Sequence, residues 1–225
     1  MKKVIVYGSI TLSTMLFYDA IGNSDFEIAC FAMDREYLPG PEMLGLPLVA
    51  FQDLPDLYPP AEYDMLALFN GYSRMRDRGR MYLKAKQSGY TLRNYISARA
   101  DVAPDIIMGD NNVIMGTTHL GFGGIMGCNN LIRQHVYLGH QFNLGSHNII
   151  TAGCNIGGHG VIKNSCYIGL GVTIIDHVRI EDETLIGAGS VVVKNTEAQA
   201  KYVGNPSRII GYHHDEGIRM NVNNR

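Results

Sequence analysis

From Ile96 to Val192, every sixth residue is aliphatic or Met, seventeen times running with no gap and no insertion. A helix repeats every 3.6 residues and a strand every 2, so neither produces a strict period of six over this length. The position after the aliphatic one is often Gly, as at Gly109, Gly121, Gly127, Gly139, Gly145, Gly157, Gly169 and Gly187. The position four after it is often small or β-branched, as at Thr118, Val136, Cys154, Cys166, Val172, Val178, Thr184 and Ser190. This pattern predicts a solenoid whose six-residue unit is one flat side of a triangular coil. The aliphatic residue and the residue four later point inward, and Gly is expected to turn the corners. Three units close a coil, so residues eighteen apart stack at the ordinary strand spacing of about 4.8 Å. There is room for five coils and part of a sixth. A β-sandwich is disfavoured, because its strands are unevenly spaced and alternate in face.

The preceding segment reads differently. Residues 2–7, 26–33 and 63–69 read as strands, and 11–21 and 73–88 as helices, the second strongly basic. A Pro/Gly-rich connection covers 38–49, and 91–96 leads into the repeat. Strands alternating with helices imply a small parallel α/β domain. The expected division is therefore 1–95 (α/β), 96–197 (solenoid) and 198–225 (a C-terminal segment ending in a polar tail). With 225 residues and 46% hydrophobic content, the chain supports one large or two modest cores.

The turn after the first strand, Gly8-Ser9-Ile10-Thr11-Leu12, holds one glycine, so the dinucleotide fingerprint is absent and NAD is not expected. Net charge is −2 and, although the 73–88 helix is basic, no Lys or Arg residues there are consecutive, which argues against nucleic acid and anionic membranes as partners. The N-terminal apolar run breaks at Gly8-Ser9 and reads as a buried strand rather than a signal peptide or a membrane span. The four cysteines form no CxxC pair, and Cys154 and Cys166 fall on the inward repeat position. They read as core filler in a reducing, cytoplasmic compartment.

The repeat resembles the hexapeptide-repeat acyltransferases, whose fold is a left-handed parallel β-helix. The hand comes from the resemblance, since the usual crossover rule favours the opposite one. A small α/β domain, the entry GYTLRNYISARADV, and the exit IGAGSVVVKN followed by VGNPSRII resemble the sialic-acid O-acetyltransferase-like and nucleotide-amino-sugar N-acetyltransferase family. The expected fold is thus a Rossmann-like α/β domain followed by a left-handed β-helix. The resemblance implies a homotrimer that moves an acyl group from acetyl-CoA, or another acyl-CoA, to an amino group of a nucleotide-activated sugar. Alternatives are O-acetylation of a sugar hydroxyl such as that of sialic acid, or a non-catalytic scaffold.

The same resemblance implies the site. The stretch Gly139-His140-Gln141-Phe142-Asn143-Leu144-Gly145 matches the family's catalytic stretch, with His140 as general base and Gln141 where relatives carry an acid. The repeat frame independently sets His140 on an outward corner, stacked between Phe122 and Gly158. Neutral imidazole suits a base near pH 7. By resemblance, the Gly158 N–H is the oxyanion donor and attack is direct, without an acyl-enzyme. Ile149 stands near the place of a second family His and is expected to line the acyl pocket or only to pack. Leu170 and Ala188 are expected to hold CoA through their backbone, with Arg208 on a phosphate. Gly8, Ser9 and Asp34 match the acceptor-binding positions. His135 and His140, five apart, also resemble the zinc-binding pair of the gamma-class carbonic anhydrases, but Arg99 and Pro104 stand where that resemblance would require a third His, so no metal is expected.

Overall fold

A computed structural model describes residues 3–22, 25–70 and 74–220. Lys2 and Ser73, at the starts of two expected elements, lie outside the described residues. The N-terminal unit contains β1 (Val4–Gly8), α1 (Ile10–Ala20), β2 (Ile28–Met33), β3 (Glu42–Met43), β4 (Leu46–Ala50), α2 (Leu54–Leu57), β5 (Asp64–Leu68) and α3 (Met75–Gln87). Its sheet runs β3-β4-β2-β1-β5, parallel except for the β3–β4 hairpin. That hairpin lies in the stretch expected to be a simple connection. Leu44 and Gly45 make its two-residue turn with φ of 55° and 77°, and Pro47 hid the strand. Proline is tolerated there because Pro47 lies ahead of Leu48, the first residue that β4 pairs with β2.

Seventeen two-residue strands follow, β6 (Tyr95–Ile96) to β22 (Val191–Val192). From β6 to β19 each pairs in parallel with the strand eighteen residues on, as in His119↔Tyr137 and Leu144↔Ile162. They form three faces. Face 1 runs from Asp101–Val102 to Val191–Val192, face 2 from Ile107–Met108 to Arg179–Ile180, and face 3 from Tyr95–Ile96 to Leu185–Ile186. The stacked parallel sheets fit a left-handed β-helix. Its core holds the period-six residues and those four later, including Val136, Phe142, Cys154 and Cys166. The four cysteines are free thiols. An antiparallel pair, β23 (Ala200–Gly204) and β24 (Ser207–Tyr212), extends face 3.

The corner is not turned where the sequence suggested. The residues in the left-handed region stand three positions after the aliphatic one, at Asn111, Thr117, Asn129, His135, Gln141, His147, His159, Ser165, His177 and Glu183, with Gly123, Gly153, Gly171 and Gly189 in the same series. The Gly one position after the aliphatic residue serves close approach instead. A Cβ on Gly121 would lie 2.9 Å from the Gly139 carbonyl carbon of the next coil, and one on Gly139 only 2.6 Å from the Gly158 nitrogen.

At the corner joining faces 2 and 3, the inward position four after the aliphatic residue carries Asn112, Asn130 and Asn148, all fully buried. Asn130 Nδ2 donates to Asn112 Oδ1 at 2.9 Å, and Asn148 Nδ2 to Asn130 Oδ1 at 3.0 Å. Each amide also donates to a backbone carbonyl, so this polar ladder is satisfied from coil to coil.

Helix α3 runs along this same corner. Arg76 pairs with Glu183, Gly79 lies 3.8 Å by its Cβ direction from the His147 ring, and Tyr82 Oη and Lys86 Nζ both reach Asp110 at 2.5 Å. Leu12, Leu16, Leu68 and Met75 pack on Val113, Leu131 and Ile149 of face 3 in one buried cluster. The C-terminal stretch, expected to be a polar surface tail, folds back onto this junction. Ile218 is fully buried, and its carbonyl accepts from the Met75 N–H at 3.0 Å. His213 is buried as well, and burial lowers its pKa to about 4. Residues 221–225 of the tail lie outside the described residues.

Candidate active site

Two regions hold the expected residues, and one chain keeps them apart. The first is a cavity of about 560 Å³ at the carboxyl end of β1, lined by Gly8, Ser9 and Asp34 together with Tyr7, Phe69, the α3 N-cap Arg74 and the α3 residues Asp77, Arg80 and Lys84. Gly8 has φ 135°, and a Cβ there would overlap the Leu68 carbonyl, so only glycine lets β1 and β5 approach. The Ser9 N–H donates to Leu68 O at 2.8 Å and is spent on the fold. Asp34 accepts from Lys84 Nζ at 2.5 Å and from Tyr7 Oη at 3.1 Å. Burial first, then the Asp34 charge, pushes the Tyr7 phenol well above its ordinary range. Lys84 also sits 4.7 Å over the Phe51 ring. Three cations against two carboxylates leave this wall net positive, suited to a phosphate-bearing ligand. The cations were visible in the sequence only as a basic helix. Their convergence depends on α3 being laid along the corner.

The second region is the exposed edge joining faces 1 and 2. His140 stacks on Phe122 with ring centroids 5.4 Å apart and planes 12° apart. A Cβ on Gly158 would lie 2.6 Å from His140 Nε2, so the imidazole occupies the room that glycine leaves. His159 meets it edge-on at 4.9 Å, and His177 stacks on His159 at 4.6 Å. Gln141 is a left-handed corner residue with φ 54°, and its side chain makes no hydrogen bond to the imidazole. The Gly158 N–H, expected to face a thioester oxygen, donates to Asp176 Oδ1 at 2.6 Å. That amide is therefore closed to an acyl oxygen unless the carboxylate moves.

Of the two readings left open for Ile149, packing is the one its position favours: it is fully buried between the β-helix and the α/β unit. His147, two residues earlier, is half-buried beneath α3. Its Nδ1 contacts Asn129 Nδ2 at 2.9 Å, and burial, with Arg78 nearby, lowers its pKa. His135 stands at the corner of faces 3 and 1, so the His135–His140 spacing brings no pair together. Among the described residues, no group of three His, Cys, Asp or Glu side chains converges.

Leu170 and Ala188 stack on the corner of faces 3 and 1, with Leu170 59% exposed. At the corner of faces 2 and 3 the equivalent backbone amides are capped by side chains, Ser146 on Cys128 and Asn164 on Ser146. The N–H groups of Leu170 and Ala188 have no partner among the described residues and are open to a ligand. Arg208 lines a separate groove of about 450 Å³ with Lys194, Asn195 and Tyr202.

No family model and no curated relative matches the sequence. Solved structures do. A histidine-to-alanine variant of GDP-perosamine N-acetyl transferase from Caulobacter crescentus, in complex with CoA and GDP-perosamine, superposes with a TM-score of 0.84 at 21% identity, over 94% of this chain and 98% of that one. The acetyltransferase domain of PglB from Neisseria gonorrhoeae FA1090, in complex with acetyl coenzyme A, gives 0.81 at 21% identity over 93% and 99%. WeeI from Acinetobacter baumannii AYE gives 0.75 at 18% identity over 93% and 100%. The chain shares their fold. Among the described residues no helix is long and apolar enough to cross a membrane.

Proposed function

We propose that this chain transfers an acyl group, most simply acetyl, from acyl-CoA to an amino group of a nucleotide-linked sugar. The observation that carries this reading is His140, an exposed imidazole lying over a residue without a Cβ, on an open edge of a hexapeptide prism. Structures of the same fold hold CoA together with GDP-perosamine, or acetyl coenzyme A. In this reading His140 Nε2 takes the proton from the attacking nitrogen and returns it to the leaving thiolate, with no acyl-enzyme. Cys154, the thiol nearest in sequence, is buried in the prism, which supports direct attack.

The nucleotide end of the acceptor would occupy the cavity of Gly8, Ser9, Asp34 and the cations on and beside α3, in an α/β unit (1–95) whose β4-β2-β1-β5 order supports a Rossmann-like reading. The β-helix (96–197) would take the donor along the open amides of Leu170 and Ala188, with Arg208 of the C-terminal segment (198–225) on a phosphate. The α/β unit docks on face 3, and His140 stands at the opposite edge of the triangle. In this reading the site is shared, and a homotrimer that sets the edge of one copy beside the cavity of another would complete it. The cytoplasm, where acyl-CoA and free thiols coexist, is the matching compartment.

The test is thiol release from acetyl-CoA with a panel of GDP-, UDP- and dTDP-linked amino sugars, alongside sedimentation of the protein. Thiol release with no member of the panel would refute the acceptor class. A stable, active monomer at micromolar concentration would refute the shared site.

A further inference from the structure

The Asp176 carboxylate has no place in the scheme just given. Its Oδ1 accepts the Gly158 N–H at 2.6 Å, while Oδ2 has no partner among the described residues. Asp176 forms no ion pair among those residues either. The other neighbour of Gly158 is His140, whose Nε2 lies 2.6 Å from where a Cβ would stand. The two 2.6 Å contacts, joined by ordinary bond lengths across Gly158, put Nε2 and Oδ1 within about 8 Å of each other. An ammonium nitrogen donating hydrogen bonds of about 3 Å to both groups spans most of that gap.

The cap on the Gly158 amide does not itself call for a charge. At the corner of faces 2 and 3 the same job is done by Ser146 on Cys128 at 3.0 Å and by Asn164 on Ser146 at 2.8 Å. Beside His140 the cap is a carboxylate with one oxygen and its full charge left over. Fixed by its other oxygen, that group is held without the freedom an exposed Asp normally keeps.

We infer that Asp176 is the residue that selects an amine acceptor over a hydroxyl, holding the incoming ammonium through Oδ2 beside His140. The inference rests on the acyl-transfer reading above. An amine that arrives as R–NH3+ gains a charge-assisted hydrogen bond that a hydroxyl does not. It releases one proton to water to become the nucleophile. The nitrogen lone pair then forms the C–N bond at the thioester carbonyl, His140 Nε2 takes a proton from that nitrogen, and the C–S bond breaks. The CoA thiolate leaves and receives the proton from His140. Counted from the bound ammonium, the net change is ammonium plus thioester to amide plus thiol plus the one proton released to water.

The test is Asp176→Asn, because asparagine retains an oxygen to cap Gly158, as Asn164 does for Ser146, and loses only the charge. Each amino-sugar nucleotide is paired with its hydroxyl counterpart, and both kinetics and calorimetric binding are measured. With the amine, kcat/KM falls about 10- to 100-fold, mainly through KM, while the hydroxyl counterpart and the melting temperature are unchanged. An amine kcat/KM within twofold of wild type overturns the assignment. The binding arm separates this failure from that of the parent reading. If wild-type protein releases no thiol with any acceptor, acyl transfer falls, while a preference for binding the amino over the hydroxyl form, lost in Asp176→Asn, still supports Asp176. Equal binding of the two forms by wild type overturns the Asp176 assignment as well.

Discussion

Gly158→Ala isolates the contact between the candidate base and the fold. The added methyl would meet His140 Nε2 at 2.6 Å, whereas ordinary contacts begin near 3.4 Å, so the ring must retreat by about 1 Å. Nothing else stands as close, and the imidazole is exposed, so the ring yields rather than the backbone. Gly158 is not in the left-handed region, and alanine there carries no backbone strain. Fewer unfolded conformations even favour the variant by roughly 0.4–1 kcal/mol. The expected outcome is an unchanged or slightly raised melting temperature with turnover reduced on the order of 10²-fold, the usual effect of a 1 Å misplacement. Steady-state thiol release, with CoA affinity measured separately, makes the comparison. Wild-type turnover in a folded Gly158→Ala protein would refute the role of His140, because the base cannot stay in place beside that methyl.

Four further outcomes follow from the same geometry. His140→Asn lowers turnover by roughly 10²–10⁴-fold with CoA binding intact, whereas His147→Asn costs stability rather than rate, since His147 lies under α3 beside Asn129 and Tyr82; kinetics and melting on both variants decide this. Arg74→Ala raises KM for the nucleotide sugar about tenfold and leaves CoA affinity unchanged, which isothermal titration with each ligand checks. Asn130→Ala orphans Gly145 O and the Asn148 N–H, both paired to it in the interior, and destabilises the β-helix by about 2–4 kcal/mol in denaturant unfolding. His213 has its pKa lowered from 6.5 to about 4, so the unfolded chain takes up that proton first: stability is full above pH 6.5 and falls as pH drops toward 4, a dependence that His213→Gln removes from the melting curve.

The repeat was legible because its core residues are fixed by stacking alone. Each period-six side chain packs on copies of itself eighteen residues away, so no distant contact is needed to interpret Ile150 or Ile168. The corners were less legible. A left-handed residue need not be Gly, and Asn111, His147 and Glu183 at φ of 56°, 65° and 51° look like ordinary polar surface in the sequence. The Asn112, Asn130, Asn148 column was present at intervals of eighteen, yet buried asparagine counts against an inward position until its ladder is seen. The cavity was legible only by half. Gly8, Ser9 and Asp34 follow strand ends, but Arg74, Arg80 and Lys84 join them because Arg76, Tyr82 and Lys86 clamp α3 to Glu183 and Asp110. Long-range pairs of that kind leave no local pattern. The same is true of Ile149, which any strand rule calls outward-facing and which the docked α/β unit buries.

The histidines show how the fold separates chemistry from architecture. There are eight. His135, His147, His159 and His177 all hold left-handed corner positions, with φ between 56° and 65°. After glycine, Asn, Asp and His tolerate that conformation best, so these four have a backbone reason to be where they are. His119 lies on face 1 with Nδ1 2.7 Å from Asp101 Oδ2 and Tyr137 stacked on it, a side-chain pair between adjacent coils. His213 packs in the interior and His214 is another left-handed residue, φ 53°. His140 alone answers no demand of the backbone or the core. Its position, two after the aliphatic residue, is filled elsewhere by Phe122, Gly158, Leu170 or Ala188, so the prism accepts almost any residue there. A histidine on such a position, with the space above it emptied by Gly158 and a half-used carboxylate at Asp176, fits the base proposed above. The repeat thus gives its own control: what the period requires can be subtracted, and the remainder is the chemistry.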